Sequence, residues 1–411
     1  MSEYYDLLET RTQQQREQEL LAALIKQLEH AKDNAPYYKD LLANFEFSNF
    51  SALSDISQLP VTRKSELLDM QKINAPFGGL SAMPDYEMTH IFVSPGPIYE
   101  PGSVRHDFWR FARTLYAAGF RSGDLIQNCF SYHFTPAGVM TENGAHALGC
   151  SVIPAGVGQS EMQVNTIADL RPAGYVGTPS FLKIIIDKAD ELGADVSSID
   201  KALVSGEALP PSIREFFVAR GIRIQQCYAT ADLGIIAYES KAQEGLIIDE
   251  GIYLEIVRPG TGDPVEDGEV GEIVVTSLNP DYPLIRFATG DLSTILSGDS
   301  PCGRTNKRIK GWMGRADQTT KARGMFIHPE QVMRVVKRHE QIAKARLVID
   351  WQDNTDQITL KCEMETMDTS LAEGISKSFR EICKLRCDVE QIQPGSLPND
   401  GIVIDDIRQY D

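Results

Sequence analysis

The sequence predicts an α/β protein with a large N-terminal body of mostly parallel βα sheets, a small antiparallel β region and a small α+β C-terminal domain. Between residues 108 and 226, apolar stretches of strand length alternate with stretches of helix length, which requires crossover connections and a largely parallel sheet. After residue 249, polarity alternates around a Gly- and Pro-rich turn at 259–264, which is typical of antiparallel hairpins. At 411 residues, the chain is long enough for two or three domains.

The elements of the N-terminal body follow one another in a regular order. Leucine and isoleucine at helical spacing predict a first helix at 14–30, which Pro36 interrupts. Further helices are expected at 108–118, 137–148, 162–170, 180–192 and 211–219, alternating with strands at 125–130, 151–154, 174–176, 202–205 and 223–226. Ligands bind parallel sheets beyond the carboxyl ends of the strands. The loops after Phe130, Ser205 and Gln226 are therefore the predicted binding region.

The C-terminal part has a different pattern. Strands at 254–257 and 272–276 form the antiparallel region, and a basic stretch at 304–315 follows them. Beyond it we expect a hairpin at 321–328 with Gly324 at its turn, a helix at 329–339 that begins at a proline, strands at 346–351 and 357–364, and a helix at 370–384. This order predicts an N-terminal body at 1–314 and a C-terminal domain at 315–411.

The charge balance restricts the partners. The formal net charge is −18, from 58 acidic and 40 basic residues. Nucleic acid and anionic membranes would be repelled, so neither is expected as a partner. Residues 1–10 lack the basic segment of a signal peptide, and no apolar run approaches the length of a membrane span. A cytoplasmic location is therefore expected.

The cysteines do not indicate a disulfide framework, because there are seven of them at irregular spacing. Cys383 and Cys387 are expected one helical turn apart. Two interpretations of these cysteines are possible from the sequence: a metal-binding pair, or one buried face of a helix. The buried face is the favoured interpretation, since no second Cys or His pair accompanies the two.

Four segments carry the chemistry of the chain. They read VSGEALP at 204–210, CYATAD at 227–232, YPLIRFATGD at 282–291 and GRADQTTKARG at 314–324. In this order they resemble the acyl- and aryl-coenzyme A ligases of the adenylate-forming superfamily, and most closely the phenylacetate-coenzyme A ligase branch. The resemblance covers nearly the whole chain, including PYY at 36–38 and LPVTRK at 59–64. It implies a nucleotide-binding body followed by a small mobile C-terminal domain.

The resemblance assigns the nucleotide and its metal to three residues. Asp291, at the end of a predicted Thr-Gly-Asp turn, would accept both hydroxyls of the ribose; a turn-capping aspartate is the alternative. Tyr228 would lie against the adenine. Asp232 would replace the usual glutamate as a Mg²⁺ ligand. The alternative is a helix cap, because residues 233–238 could begin a helix.

Further nucleotide contacts are implied on both sides of the domain boundary. Ser205, Gly206 and Glu207 would form one wall of the adenine pocket, where glycine permits close approach of the backbone to a flat base. Arg315 would reach the nucleotide and Asp317 would be the hinge of the mobile domain, although a surface ion pair in a linker is the alternative. The other implied nucleotide-binding residues are Gln226, Cys227, Ala229, Thr230 and Arg308.

Aromatic side chains follow the predicted strand at 125–130. Tyr132, His133 and Phe134 suit an aromatic acid, and the resemblance places Ala229 beside it; core packing is the alternative for each ring. His133 has no visible nucleophile partner, so no catalytic triad is expected.

Two departures from the family pattern bear on activity. Ser94 and Gly96 remain at the position of the phosphate loop, but Pro95 and Pro97 have no amide hydrogen and the loop carries no lysine. Ile402 follows the PGSLP run at 394–398, where the resemblance implies a lysine that contacts the reacting groups. An isoleucine cannot donate a hydrogen bond or carry charge. The chain is therefore interpreted as a natural outlier, an inactivated paralogue or an engineered variant.

The resemblance implies a ligase that uses ATP, Mg²⁺ and coenzyme A to convert an aromatic carboxylic acid, of the phenylacetate or benzoate type, into its thioester through an acyl-adenylate. A homodimer is an expectation. Two alternatives stay open: an adenylating enzyme whose acceptor is not coenzyme A, and a catalytically silent nucleotide- or acyl-binding paralogue.

Overall fold

The computed structural model describes residues 3–258, 262–316, 318, 320–323, 325–327, 329–352, 355–365, 367–397 and 403–408. The chain divides into two compact units, Met1–Met313 and Gly314–Asp411. The boundary expected from the sequence, between residues 314 and 315, differs from this division by one residue. No helix within the described ranges combines the length and the apolar character that a membrane span requires.

The helices and strands of both units, within the described residues, have the following bounds. The helices are α1 Gln13–Asn34, α2 Pro36–Leu41, α3 Leu67–Ile73, α4 Phe111–Ala117, α5 Ala137–Leu148, α6 Ser160–Leu170, α7 Pro179–Leu192, α8 Pro211–Val218, α9 Pro329–Lys337 and α10 Thr369–Cys383. The strands are β1 Thr62–Arg63, β2 His90–Ser94, β3 Ile98–Gly102, β4 Leu125–Asn128, β5 Ser151–Pro154, β6 Gly174–Gly177, β7 Lys201–Val204, β8 Arg223–Thr230, β9 Gly234–Glu239, β10 Leu246–Ile248, β11 Ile252–Val257, β12 Gly271–Ser277, β13 Phe287–Ser293, β14 Ile295–Leu296, β15 Arg308–Ile309, β16 Thr320–Ala322, β17 Met325–Ile327, β18 Lys344–Gln352, β19 Thr355–Glu363, β20 Asp388–Ile392 and β21 Ile404–Asp406.

The largest described sheet has the order β14-β15-β10-β9-β8-β7-β6-β4-β5. Strands β5, β4, β6, β7 and the first half of β8 pair in parallel, which confirms the βα character of the body. Helices cover both faces: Leu203 packs in a core with α4 and α5, whereas its neighbours Ala202 and Val204 pack in another with α6, α7 and α8. The alternation follows from the period of two along a strand.

Strand β8 is longer than the sequence indicated. It pairs in parallel with β7 up to Gln226 and then antiparallel with β9 from Cys227, with a bulge at Tyr228/Ala229. The interpretation of 233–238 as the start of a helix is wrong, because β9 lies there and leaves no helix for Asp232 to cap. The turn into β9 needs Gly234, whose φ is +73° and whose Cβ would lie 2.7 Å from the Trp109 carbonyl oxygen.

A second sheet has the order β1-β13-β12-β11. Strands β11 and β12 pair antiparallel, as expected for this region. The Thr-Gly-Asp segment was expected as a turn, but it lies inside β13, which extends to Ser293. The register between β12 and β13 shifts there, and Gly290 has a φ of +77°. A bulge of this kind re-aims the side chain that follows it, and that side chain belongs to Asp291.

The second unit contains a sheet of order β20-β19-β18-β21 together with α9 and α10 around its own core. Cys383 is the last residue of α10 and Cys387 lies beyond that helix, so the two are not one helical turn apart. Both are buried in this core, and burial raises the pKa of Cys383 to about 11 and that of Cys387 to about 12. The described residues contain no group of three potential metal ligands.

Candidate active site

The Asp291 carboxylate, on β13, lies where the sheet of order β1-β13-β12-β11 meets the largest sheet at β8. The Tyr228 hydroxyl, on β8, donates to Asp291 Oδ2 at 2.6 Å, and Trp312 Nε1 donates to Asp291 Oδ1 at 3.1 Å. Tyr228 also lies 3.4 Å from Thr289 Oγ1. Two neutral donors therefore orient one carboxylate, and a carboxylate has lone pairs left for further donors.

The end of β7 is joined to β8 at the same edge. Ser205 Oγ donates to the carbonyl oxygen of Cys227 at 2.8 Å, and Gly206 follows with a φ of +81°. Glu207 is exposed, and its Oε2 accepts from the Ser180 backbone at 3.4 Å. The structure thus brings Ser205 and Gly206 next to the strand that carries Tyr228.

The remaining residues of β8 divide between exposed and buried surroundings. Ala229 and Thr230 are partly exposed, and Thr230 Oγ1 accepts from the Leu233 backbone at 3.2 Å. Cys227 is buried, and burial raises the pKa of its thiol to about 12. The Gln226 side chain donates to Glu239 at 3.4 Å, and Glu239 is ion-paired with Arg214.

Arg308 is directed away from this cluster. Its buried guanidinium donates to the backbone carbonyl oxygens of Glu244, Ser297, Gly298 and Asp299. These contacts hold the β14–β15 region together. The structure therefore does not place Arg308 beside Asp291.

Asp232 forms a buried ion pair with Lys64. Lys64 Nζ lies 2.5 Å from Asp232 Oδ2, and the Asp232 side chain is fully buried whereas that of Lys64 is 25% exposed. Asp232 Oδ1 has no hydrogen-bond partner within the described residues. Burial works against the charged ammonium, but the Asp232 carboxylate outweighs it and raises the pKa of Lys64.

The segment predicted to bind phosphate is the β-hairpin of β2 and β3. Ser94 Oγ donates to Glu100 Oε1, so the Ser94 hydroxyl is already engaged. Gly96 lies at the turn between Pro95 and Pro97. Glu100 is fully buried, and its Oε2 has no hydrogen-bond partner in the described part of the chain. Burial, reinforced by Asp232, raises the pKa of Glu100 to about 8.

A cavity of about 630 Å³ lies beside Tyr132. Its lining residues are His90, Ser103, Val104, His106, Tyr132, Val139, Glu142, Asn143, His146, Ala147 and Pro154. The Tyr132 hydroxyl accepts from Asn128 Nδ2 and donates to Glu142 Oε2, both at 2.7 Å. His133 and Phe134 do not line this cavity, and Phe134 is 64% exposed with a φ of +63°.

Three predicted residues belong to the other end of the chain. Ile402 and Asp317 lie outside the described residues. Arg315 is partly buried at the beginning of the second unit. Their roles stay predictions.

Sequence reasoning missed three residues of this region. Lys64 ends the LPVTRK run and Glu100 lies within the proline-rich hairpin, so both were visible only as parts of longer segments. Trp312 lies inside the basic stretch at 304–315, where its indole was the one large aromatic ring. This lone aromatic ring is the sequence signal that could have identified Trp312 as a candidate site residue.

Comparisons with known proteins show which family the chain belongs to. Residues 105–279 match the model of the AMP-binding enzyme family, a range that contains Tyr228 and Asp232 and ends before Asp291. The chain is 31% identical to a phenylacetate-coenzyme A ligase of Thermus thermophilus over 350 residues, which are 81% of this chain and 78% of that protein. It is 30% identical to a phenylacetate-coenzyme A ligase of Pseudomonas putida over 390 residues, which are 90% and 87% of the two chains.

A solved structure extends the likeness in fold to nearly the full length. It is the crystal structure of 2-hydroxyisobutyryl-CoA ligase in complex with 2-HIB-AMP and CoA. Its TM-score is 0.77 at 24% sequence identity, and the match covers 99% of this chain and 93% of that one. At this identity the likeness concerns the fold.

Proposed function

Because the chain belongs to the phenylacetate-coenzyme A ligase family of AMP-binding enzymes, and is an AMP-forming acid–coenzyme A ligase, we propose that its substrate is an aromatic carboxylic acid of the phenylacetate or benzoate type. ATP and the acid give an acyl-adenylate and pyrophosphate. The coenzyme A thiol then displaces AMP to give the thioester. In the first step the protein mainly positions the reactants and stabilises developing charge.

The orientation of Asp291 is the observation that carries the nucleotide-binding part of this proposal. Its two oxygens are fixed by Tyr228 and Trp312, and the residue is 8% exposed. A carboxylate held in this way is pre-organised to accept both hydroxyls of a ribose. Tyr228 then contributes its hydroxyl to Asp291 and leaves its ring for the base.

The cavity beside Tyr132 is the proposed place for the acid. A volume of about 630 Å³ is within the usual range for small-molecule sites. Val139 and the Tyr132 ring supply apolar surface, whereas His90, His106 and His146 supply polar groups. We therefore include aromatic acids with hydroxyl and amino substituents among the candidate substrates.

Asp232 is the proposed ligand of Mg²⁺, and its surroundings fit that cation. Its Oδ1 is buried without a hydrogen-bond partner in the described ranges, and a hard carboxylate oxygen suits Mg²⁺. When bound, Mg²⁺ would neutralise charge on the phosphate oxygens. The neighbouring Lys64 ammonium would have to give up part of its contact with Asp232 when the cation binds.

The hairpin of β2 and β3 favours a second candidate, a catalytically silent nucleotide- or acyl-binding protein. Pro95 and Pro97 cannot donate, the Ser94 hydroxyl is engaged by Glu100, and Ile402 stands where the family resemblance implies a lysine. An adenylating enzyme with an acceptor other than coenzyme A is the third candidate.

One assay separates the three candidates. ATP–pyrophosphate exchange is measured with a panel of aromatic and aliphatic acids, and thioester formation is followed with and without coenzyme A. The proposed function requires exchange that depends on an aromatic acid and a thioester product. Exchange without thioester indicates another acceptor. If no acid supports exchange although AMP binds, the silent-binder candidate is correct. An aliphatic acid as the best substrate would contradict the proposed substrate class.

A further inference from the structure

The hairpin of β2 and β3, at residues 90–102, lacks the phosphate-binding lysine that the family resemblance implies there. This hairpin carries no lysine or arginine at residues 90–102, and its buried side chain Glu100 is acidic and supplies no cation. Proline at 95 and 97 also removes two backbone donors. A nucleotide bound near Asp291 therefore needs a cation from another segment, because phosphate oxygens are anionic.

Lys64 comes from such a segment. It begins a short 3-10 turn directly after β1, and β1 pairs in parallel with β13 in the register Arg63–Ala288. This register brings Lys64 to the part of β13 that continues through Thr289 to Asp291. Residues 59–64 thereby connect an N-terminal segment to the strand that carries the proposed ribose ligand.

The ammonium of Lys64 can donate further hydrogen bonds. Asp232 Oδ2, at 2.5 Å, is its hydrogen-bond acceptor within the described ranges, and an ammonium has three N–H groups. The side chain is 25% exposed, so a solute can reach it. The neighbouring residue Arg63 is directed instead to Glu272, at 3.4 Å.

Three acidic side chains lie around Lys64. Asp232 contacts its ammonium at 2.5 Å, and Glu100 and Asp291 lie close enough to interact with it electrostatically. One cation therefore faces three acidic side chains that come from three different strands or loops. Lys64 therefore lies near both Asp232, the proposed Mg²⁺ ligand, and Asp291, the proposed ribose ligand.

We propose that Lys64 binds the phosphate groups of the nucleotide and supplies the cation that the β2–β3 hairpin lacks; this rests on the proposed function. In the nucleotide-free protein, Asp232 holds the ammonium in position. With a nucleotide bound, the two N–H groups that Asp232 does not occupy donate to phosphate oxygens. Lys64 is thus a substrate-binding residue and not only the counter-ion of a buried aspartate.

The test compares adenosine, AMP and ATP binding to the full chain by calorimetry in metal-free buffer. The variant is Lys64→Gln. Lys201→Gln is the matched control, because Lys201 is a buried lysine that is also ion-paired, to Asp124 at 2.9 Å. A hydrogen bond to a charged group corresponds to a change in affinity of about tenfold or more. We expect Lys64→Gln to weaken the binding of AMP, ATP or both by at least about tenfold, and the binding of adenosine by less than about twofold. Lys201→Gln should change none of these three affinities.

A second variant covers the risk that Lys64→Gln leaves Asp232 buried without a counter-ion and does not fold. Lys64→Gln/Asp232→Asn removes both charges together, and the same loss for phosphorylated ligands is expected in it. Equal weakening of adenosine, AMP and ATP, or no weakening, would overturn the proposal and leave the proposed function standing. If the unmodified chain binds none of the three ligands, the proposed function itself fails.

Discussion

At the scale of single residues, the carboxylate of Asp291 is oriented by side chains that lie far from it in the sequence. Tyr228 and Trp312 come from segments that lie 63 residues before and 21 residues after it in the chain. Both donors are neutral, so the carboxylate keeps its negative charge. A charged carboxylate is a strong acceptor for the hydroxyl groups of a ribose. The sequence connected Tyr228 and Asp291 through the family resemblance, but the indole donor became visible only in the folded chain.

Asp291→Ala should weaken AMP binding by more than 1 kcal/mol, since hydrogen bonds to charged groups contribute about 1.5–3 kcal/mol. Trp312→Phe should have a smaller effect, because it removes an orienting donor and not the acceptor. Asp195→Ala, an exposed surface substitution, is the control. Calorimetry with AMP measures all three. An unchanged affinity in Asp291→Ala would remove this residue from the proposed site.

Glu100 should make stability depend on pH. Its pKa is raised from 4.5 to about 8 by burial and by Asp232, so the folded state keeps a proton that the unfolded state loses. Stability should therefore fall as pH rises from about 4.5 to about 8, by at most about 1.4 kcal/mol per pH unit from this group. Below this window the carboxyl is protonated in both states.

The Glu100 prediction is measured by urea unfolding at several pH values. Glu100→Gln stays neutral, so its stability relative to the unmodified protein should increase steadily between pH 5 and pH 8. Glu161→Gln replaces an exposed carboxylate and serves as control. Parallel curves for the unmodified protein and Glu100→Gln would show that Glu100 is ionised in the folded protein at neutral pH.

At the scale of elements, Arg286 joins strand β11 to two segments outside the strands, the one before β1 and the turn at Gly262. The side chain is buried and donates to both Glu255 oxygens, at 3.0 and 3.1 Å. It also donates to the carbonyl oxygens of Ser57, Leu59 and Gly262. These contacts fix the segment before β1 against β13, and β1 in turn positions Lys64.

Arg286→Met should destabilise the fold by about 3–5 kcal/mol, because it leaves the Glu255 carboxylate buried without its partner. Arg286→Met/Glu255→Leu removes both charges and should recover part of the loss. Urea denaturation followed by circular dichroism gives the free energies of unfolding. If the double variant is as unstable as the single one, the carbonyl contacts and not the ion pair account for the role of Arg286.

Periodicity predicted the elements of the first unit well where local residues determine where a helix or strand begins and ends. Helix α5 and strand β5 have the bounds expected from the sequence. The prediction was wrong where tertiary pairing determines the structure. Strand β8 continues past Gln226 because β9 offers a new antiparallel partner, and Asp291 lies in a bulge because Gly290 allows a positive φ. The antiparallel partner of β8 has no local signal, and Gly290 on its own indicates a turn as readily as a bulge within a strand.

The contacts of the site were less predictable than its location. Resemblance brought attention to Asp232, but its pairing with Lys64 joins residues 168 positions apart. The approach of β1 to β13 creates this contact, and a two-residue strand such as β1 has too few residues for a periodic pattern. The burial of Glu100 likewise depends on what covers the β2–β3 hairpin.

At the scale of the whole molecule, the negative net charge of the protein opposes the binding of anionic ligands. The chain carries a formal charge of −18, while ATP and coenzyme A are polyanions. The long-range field opposes their approach, so affinity depends on cations placed close to the phosphates. Two positions where the family resemblance implies a lysine, in the hairpin and at Ile402, hold none.

Ile402 should limit adenylation and leave thioester formation largely unaffected. By the family resemblance, a lysine at this position contacts the acyl carboxylate and the α-phosphate while charge develops in the first step. Removing one well-placed donor from a transition state costs about a hundred- to a thousandfold in rate. Ile402→Lys should therefore accelerate adenylation by about this factor. The conversion of a supplied aryl-adenylate to its thioester should change little.

Single-turnover kinetics of each half-reaction, with an aromatic acid shown to bind, measures both effects. Ile407→Lys introduces the same charge at an exposed isoleucine five positions away and should change neither rate. Acceleration by both variants would indicate a general effect of added positive charge on this acidic protein. If Ile402→Lys accelerates neither step, either the residue is not catalytic or the hairpin with Pro95 and Pro97 already prevents productive ATP binding, and AMP and ATP affinities separate those two causes. An ordinary adenylation rate in the unmodified chain would mean that another cation supplies the missing charge, for which Lys64 is the candidate.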